Sequence, residues 1–315
     1  MTGRIVALSG GIGGAKLALG LLHALPPGGL SVVANTGDDF EHLGLLVCPD
    51  LDTLLYTLGG LSDEQRGWGR AGESWACMGA LARLGGPTWF GLGDSDLATH
   101  LLRTQRVRAG ERLTAIMQDF ADRLGIAARL LPMSDDPVRT RVRTEEGWMD
   151  FQPWFVGRHA EPAVSALDFV GAATARPSPE VMAALQDPEL EAVVICPSNP
   201  FISIGPMLAM PGFRAALESC RAPVIAVSPI IAGQAVKGPT ARMMASFGMP
   251  VTAEAVARHY GGLISGYVLD DTDSTTAASL APLEVRATRT LMASLADRIA
   301  LAHAVLALAR EIGRR

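Results

Sequence analysis

The segment SGGIGGAK, residues 9–16, constrains this chain more than any other stretch. Residues 4–9 before it read as a short buried strand, and residues 16–25 after it read as a helix. Gly10, Gly11, Gly13 and Gly14 between them leave backbone N–H groups free of Cβ cover at a helix N-terminus, where an anion binds well. Lys16 adds a positive charge. The spacing fits neither familiar phosphate loop. A dinucleotide fingerprint would place a third glycine at Lys16, and a P-loop would need Gly-Lys-Ser/Thr where Ala15, Lys16 and Leu17 stand. The competing reading is a tight strand-to-helix turn that binds nothing.

Strand-like runs recur at 4–9, 31–36, 88–92, 192–197, 223–229 and 266–270, with helical patterns between several of them. That alternation predicts an α/β protein, a Rossmann-like, mostly parallel sheet with helical and hairpin insertions. The core comprises 1–50, 87–95 and 165–315. Residues 51–86 and 96–164 are inserted as a lid or small domain, including a hairpin over 138–156 that turns at TEEG. The C-terminal stretch 291–312 reads as an amphipathic or packed helix. The chain of 315 residues suffices for one elaborated domain or two, and 49% apolar against 19% charged residues marks it as folded. A net charge of -5 with no long basic stretch argues against nucleic acid as a partner. Cys48, Cys77, Cys196 and Cys220 form no CxxC pair and no zinc spacing, as expected of thiols in a reducing cytosol. No signal-peptide pattern and no uncharged run of about 20 apolar residues is visible, so a cytoplasmic protein without membrane contact is expected.

In a parallel sheet, ligands bind beyond the carboxyl ends of the strands. The expected tips carry polar groups: GGIGGAK, then NTGDD, GDSD, PSNP, SPIIAG and DD. Asp38 and Asp39 follow one strand, and Asp50 and Asp52 start the next helix, so carboxylates from both could share a magnesium ion. Asp50 or Asp52 could instead be a helix cap. Asp94 and Asp96 open a further helix with His100 on the same face as Asp96. Asn199, flanked by Ser198 and Pro200 before a helix near Ser203, offers an amide suited to a phosphate or nucleobase. Lys237 and Gly238 precede another helix. Together these groups point to a metal-bridged polyphosphate ligand, held by a nucleotide-using enzyme or a nucleotide-binding regulator.

The stretches SGGIGGAKL, NTGDD, CPDLDTLLYTLGG, WFGLGDSDLATHLLRTQ, FQPWFV, CPSNPFISIGPML and VSPIIAGQAVKGP run in order from about residue 5 to residue 240. With them the chain resembles the 2-phospho-L-lactate transferases of deazaflavin coenzyme F-420 biosynthesis. The resemblance implies transfer of a phospho-acid group (phospholactyl, enolpyruvyl-phosphate or phosphoglyceryl) from a guanosine-diphosphate-activated donor. The acceptor is the ribityl hydroxyl of 7,8-didemethyl-8-hydroxy-5-deazariboflavin, and GMP leaves. It also implies Mg2+ and a homodimer. Asp50 of PDLDT looks like the catalytic, acceptor-contacting carboxylate, with Gly91, Asp94 and His100 near the acceptor. Gly91 stands where some members carry a lysine, and Ser95 where an arginine is usual. Expected donor contacts are Gly11, Gly13, Gly14, Lys16, Asn35, Asp39, Ser198, Asn199, Pro200, Ser203, Ser228, Lys237 and Gly238. The expected metal ligands are Asp38 and Asp50. The rival is a non-catalytic nucleotide-sugar-binding regulator of similar fold, against which NTGDDFEHLG and PDLDT argue.

Overall fold

The structure is a computed structural model and describes residues 3–314. Its strands are β1 (Arg4–Ser9), β2 (Leu30–Ala34), β3 (Phe40–His42), β4 (Leu45–Val47), β5 (Arg129–Pro132), β6 (Arg139–Thr144), β7 (Gly147–Asp150), β8 (Ala166–Val170), β9 (Leu190–Ile195), β10 (Val224–Val227), β11 (Ile230–Ile231), β12 (Gln234–Ala235), β13 (Gly266–Leu269) and β14 (Glu284–Ala287). Its helices are α1 (Gly11–Ala24), α2 (Pro49–Leu58), α3 (Ala76–Arg83), α4 (Asp94–Arg108), α5 (Leu113–Arg123), α6 (Pro179–Leu185), α7 (Gly205–Ala209), α8 (Phe213–Glu218), α9 (Thr240–Ser246), α10 (Ala253–Tyr260) and α11 (Leu295–Gly313).

Seven parallel strands form the central sheet in the order β14-β13-β10-β9-β1-β2-β5. The protein is thus the α/β fold its alternating pattern predicts. Side chains alternate across the sheet. Ile5 and Ala7 pack on one face with Leu17, Leu51 and Leu301, from α1, α2 and α11. Val6 and Leu8 pack on the other with Trp154, Met207 and Phe213. Both faces are covered, which is why the inner strands read as continuous apolar runs rather than as alternating ones. A separate antiparallel sheet, β7-β6-β8, contains the expected hairpin.

Local signals set several boundaries. Pro49 occupies the first turn of α2, where its missing N–H costs nothing, and Asp50 and Asp52 complement the helix N-terminus. Ser294 and Asp297 form a reciprocal capping box that starts α11.

Three expectations need correction. Residues 88–92 are not a strand but a loop before α4, where Trp89 and Phe90 pack edge-on against Phe40 and His42. β5 and β14, the two edge strands, were not among the expected strands, and β5 lies within the stretch assigned to an insertion, 96–164. The first helix begins at Gly11, five residues before the expected start, so the glycines form its opening turn. At Gly13 the chain packs closely: a Cβ there would lie 2.6 Å from the carbonyl oxygen of Pro197, just past β9.

That contact makes a test. Gly-to-Ala changes inside helices ordinarily stabilise by up to about 1 kcal/mol. Gly13→Ala should do the reverse and cost about 1–3 kcal/mol through overpacking against backbone that has no room to move. Denaturant unfolding of the two proteins decides it, and a variant as stable as wild type or more so contradicts the packing role.

Candidate active site at the strand tips

β1, β2 and β9 lie side by side, with Ser9 paired to Ala34 and Leu8 to Ile195, so their carboxyl ends stand level. In the strand order the chain reverses between β1 and β9, and a crevice opens at such a switch point. One carboxylate ties the tips together. Asp50, on the first turn of α2 and only 5% exposed, accepts the Gly11 N–H on Oδ1 at 2.6 Å. Its Oδ2 accepts the Asn35 amide at 2.9 Å. Asn35 also donates to the Ile202 carbonyl at 3.2 Å and accepts the Gly37 N–H at 2.9 Å. The neighbouring Gly10 N–H donates to the Ser198 hydroxyl at 3.0 Å. Gly11 takes φ +66, and the place of its missing Cβ is open space. It is therefore the one glycine of the opening turn whose surroundings leave room for a ligand beside the backbone.

The site concentrates buried negative charge. Burial pushes the Asp50 carboxyl up to about 6, against the hydrogen bonds from Asn35 and Gly11. Burial and then the nearby Asp50 charge hold Asp38 well above its ordinary value. Burial raises Asp39 to about 7, opposed by Arg139. One oxygen each of Asp38 and Asp39 is buried without a hydrogen-bond partner. Oxygen donors alone, with unmet demand for positive charge, fit a hard divalent cation such as magnesium, and Asp38 and Asp50 are the residues that could hold it.

A second layer braces α2. The Arg103 guanidinium, fully buried, forks onto Asp52 at 2.5 and 3.0 Å and also reaches the Leu46 carbonyl and His100 Nδ1 at 2.8 Å. His100 Nε2 lies 3.2 Å from Asp96, whose other oxygen accepts the Tyr56 hydroxyl at 2.5 Å. Burial alone would raise Asp96, but His100 and Tyr56 bring its carboxyl below the usual value. Asp52, Asp96 and His100 approach one another closely enough to bind a metal. The guanidinium already supplies the charge that such an ion would bring, so the triad is an ion-pair network.

The remaining expected residues divide four ways. Ser198 and Ser203 join the Asp50 cluster: a Cβ on Gly10 would lie 2.5 Å from Cβ of Ser203 and 2.8 Å from Asp50. Gly14, further along α1, faces Ser9 and Ser198. Lys16 and Lys237 line a separate 160 Å³ cavity with Arg298, and Gly238 follows Lys237 at φ +74. Others are engaged locally. Asn199 Oδ1 accepts the Phe201 and Ile202 N–H groups in the helical turn that Pro200 opens. Ser228 bonds both ways with the Ile230 backbone. Asp94 caps α3 through the Ala76 and Cys77 N–H groups. Gly91 packs beside Trp68 and Trp75, over which the Arg66 guanidinium lies at 5.1 and 4.7 Å. Asp39 lines a larger cavity of 460 Å³ with Thr36, Arg108, Asp135 and Arg139, a volume in the range of small-molecule sites. Sequence reasoning missed Arg103 and Arg298 as site residues. Their only signal was a charge within an apolar helical pattern.

Residues 5–293 match the family model of the 2-phospho-L-lactate transferase CofD. The chain belongs to that family. A phosphoenolpyruvate transferase of Kitasatospora aureofaciens is 45% identical across 98% of both chains, and one of Streptomyces coelicolor is 43% identical across 98% of this chain and 99% of the other. A phosphoenolpyruvate transferase of Mycobacterium ulcerans is 45% identical over 85% of this chain and 86% of its own. Among solved structures, a UPF0052 family protein of Bacillus halodurans shares the fold, with a TM-score of 0.61, 13% identity and coverage of 97% of this chain and 99% of its own. This member of the family is a phospho-acid transferase of coenzyme F-420 biosynthesis. Among the described residues, no helix is long and apolar enough to cross a membrane.

The raised Asp50 value has a consequence for stability. Its carboxyl holds a proton more tightly folded than unfolded, so the folded state loses stability as pH rises from about 4 through about 6. Asp50→Asn abolishes that loss. In chelator, the stability of the variant relative to wild type should therefore improve between pH 4 and pH 7, by on the order of 2 kcal/mol. Paired denaturation curves across that range measure it, and a pH-independent difference would mean that Asp50 titrates normally.

Proposed function

We propose that this transferase moves the enolpyruvyl-phosphate group of a guanosine-diphosphate-activated donor onto the ribityl hydroxyl of 7,8-didemethyl-8-hydroxy-5-deazariboflavin. The new bond joins the ribityl oxygen to phosphorus, the bond from that phosphorus to the bridging oxygen breaks, and GMP departs with the electron pair. The choice of phospho-acid is supported by relatives named phosphoenolpyruvate transferase at 43–45% identity over most of their length. The carrying observation is the Asp50 carboxylate, fixed by Gly11 and Asn35 beyond the carboxyl ends of β1, β2 and β9.

In this reading Asp50 orients the attacking hydroxyl and takes its proton. Asp38, with its partnerless oxygen, and Asp50 would hold magnesium. Bound there, the ion would neutralise the phosphoryl oxygens. Gly11 leaves its backbone open to the donor, and the aromatic cluster of Phe40, Trp89 and Phe90 flanks the same stretch of chain as Asp38 and Asp39. The reading includes a cytoplasmic homodimer. Helix α3, none of whose residues is buried, and the exposed Leu84 after it suit such contact, and sedimentation should give twice 33.1 kDa.

The test is incubation with the deazariboflavin, guanylylated phosphoenolpyruvate and magnesium, with products identified by mass. Transfer should stop in excess chelator. Asp50→Asn, which keeps shape but removes the base, should lower turnover roughly 10²–10⁴-fold. A near-wild-type rate in that variant would remove Asp50 from the chemistry.

A further inference from the structure

A 160 Å³ cavity opens beside the Asp50 cluster. Ile12, next to Gly11, and Thr53, three residues after Asp50 on α2, belong to its lining. Three cations from distant parts of the chain line the cavity: Lys16 of α1, Lys237 of the loop before α9, and Arg298 of α11. They are poorly matched by the protein's own acids. Lys16 donates to the Met292 carbonyl at 3.0 Å and Lys237 to the Gly67 carbonyl at 3.3 Å, both neutral partners. Among the described residues, Arg298 alone of the three has a carboxylate in ion-pair reach, Glu64 at 2.7 Å, whose charge also acts on Lys16. The other acid on the wall, Asp63, is turned to the N–H groups of Gln65 and Arg66. Arg298 is 6% exposed, and its Nε is buried with no hydrogen-bond partner. Burial first, then the charges of Arg298 and Lys237, lower the pKa of Lys16. Three like charges held together with an unsatisfied donor among them await an anion.

The cavity's size limits what that anion can be. At 160 Å³ it has room for a three-carbon acid. Beyond the diphosphate, the donor's remaining charge is the carboxylate of its phospho-acid. We infer that Lys16, Lys237 and Arg298 form the subsite for that carboxylate, setting the three-carbon end of the donor so that its phosphorus faces Asp50. This rests on the transferase reading above. The three are substrate-binding residues: they select donors that carry an acid and orient them.

The experiment compares two donors on wild type, Lys237→Gln and Lys16→Gln. One is guanylylated phosphoenolpyruvate. The other is the matching guanylylated isopropenyl phosphate, identical except that a methyl group replaces the carboxylate. Hydrogen bonds to a charged group typically contribute enough that losing one should raise KM for the acid donor roughly 10- to 100-fold. On the carboxylate-free donor the same substitutions should change KM little, because their partner is already gone. Arg298→Gln, the buried member, is read alongside a thermal melt, and the two lysine variants carry the conclusion if it fails to fold. Equal penalties on both donors would assign the cations to the diphosphate and overturn the inference, as would no penalty on either. Absence of transfer by wild type with any guanylylated phospho-acid would instead refute the transferase reading itself, a separable result.

Discussion

The architecture of the site depends on one carboxylate held by two donors from different strand tips. Asp50 takes an N–H from Gly11, just past β1, and an amide from Asn35, just past β2. Asn35 passes the link on to Ile202 beyond β9. Three segments far apart in sequence are thereby pinned at the switch point of the sheet. This explains the glycine-rich turn from the inside. Gly10 is small because Asp50 and Ser203 lie where its side chain would be, and Gly13 because the Pro197 carbonyl does. Most of the glycines serve close approach of the protein to itself, and Gly11 alone in that turn faces open space.

Behind Asp50 the same helix carries Asp52, two residues on, and the two acids have opposite surroundings. Asp52 meets a buried guanidinium in a two-pronged pair. Asp50 meets only neutral donors. A buried acid satisfied by dipoles alone can exchange its proton. Removing either partner of the Asp52–Arg103 pair would leave a buried charge uncompensated, at a typical cost of about 3–5 kcal/mol. The pair also fastens α4 to α2 and to the β3–β4 hairpin through Leu46, so the helix that presents Asp50 is braced from behind.

The inner strands β1, β9, β10 and β13 were legible because burial on both faces demands unbroken apolar runs. β5, RLLP, and β14, EVRA, are edge strands, short and polar at one or more positions, and carry no such demand. The run 88–92 misled for the opposite reason: its aromatic residues pack on Phe40 and His42 instead of pairing as a strand. The start of α1 is hidden in the sequence because glycine disfavours helix locally, while contacts with Ser198 and Pro197 hold the turn in helical form. At the site, Asp38, Asp39 and Asp50 showed themselves as acids beside strand ends. What each carboxylate touches was not legible, since Arg103 and Arg298 approach from residues 51 and 234 positions away from their acidic partners.

The packing of α11 over α1 joins a helix near the start of the sequence to one near its end. On the ribosome α1 emerges long before its cover, and Leu17, Leu21 and their neighbours meet solvent or a chaperone until α11 follows. The late arrival also brings Arg298 and sets the Met292 carbonyl against Lys16. A nascent chain can therefore assemble its sheet and its Asp50 cradle while the cationic cavity still lacks the wall that α11 brings.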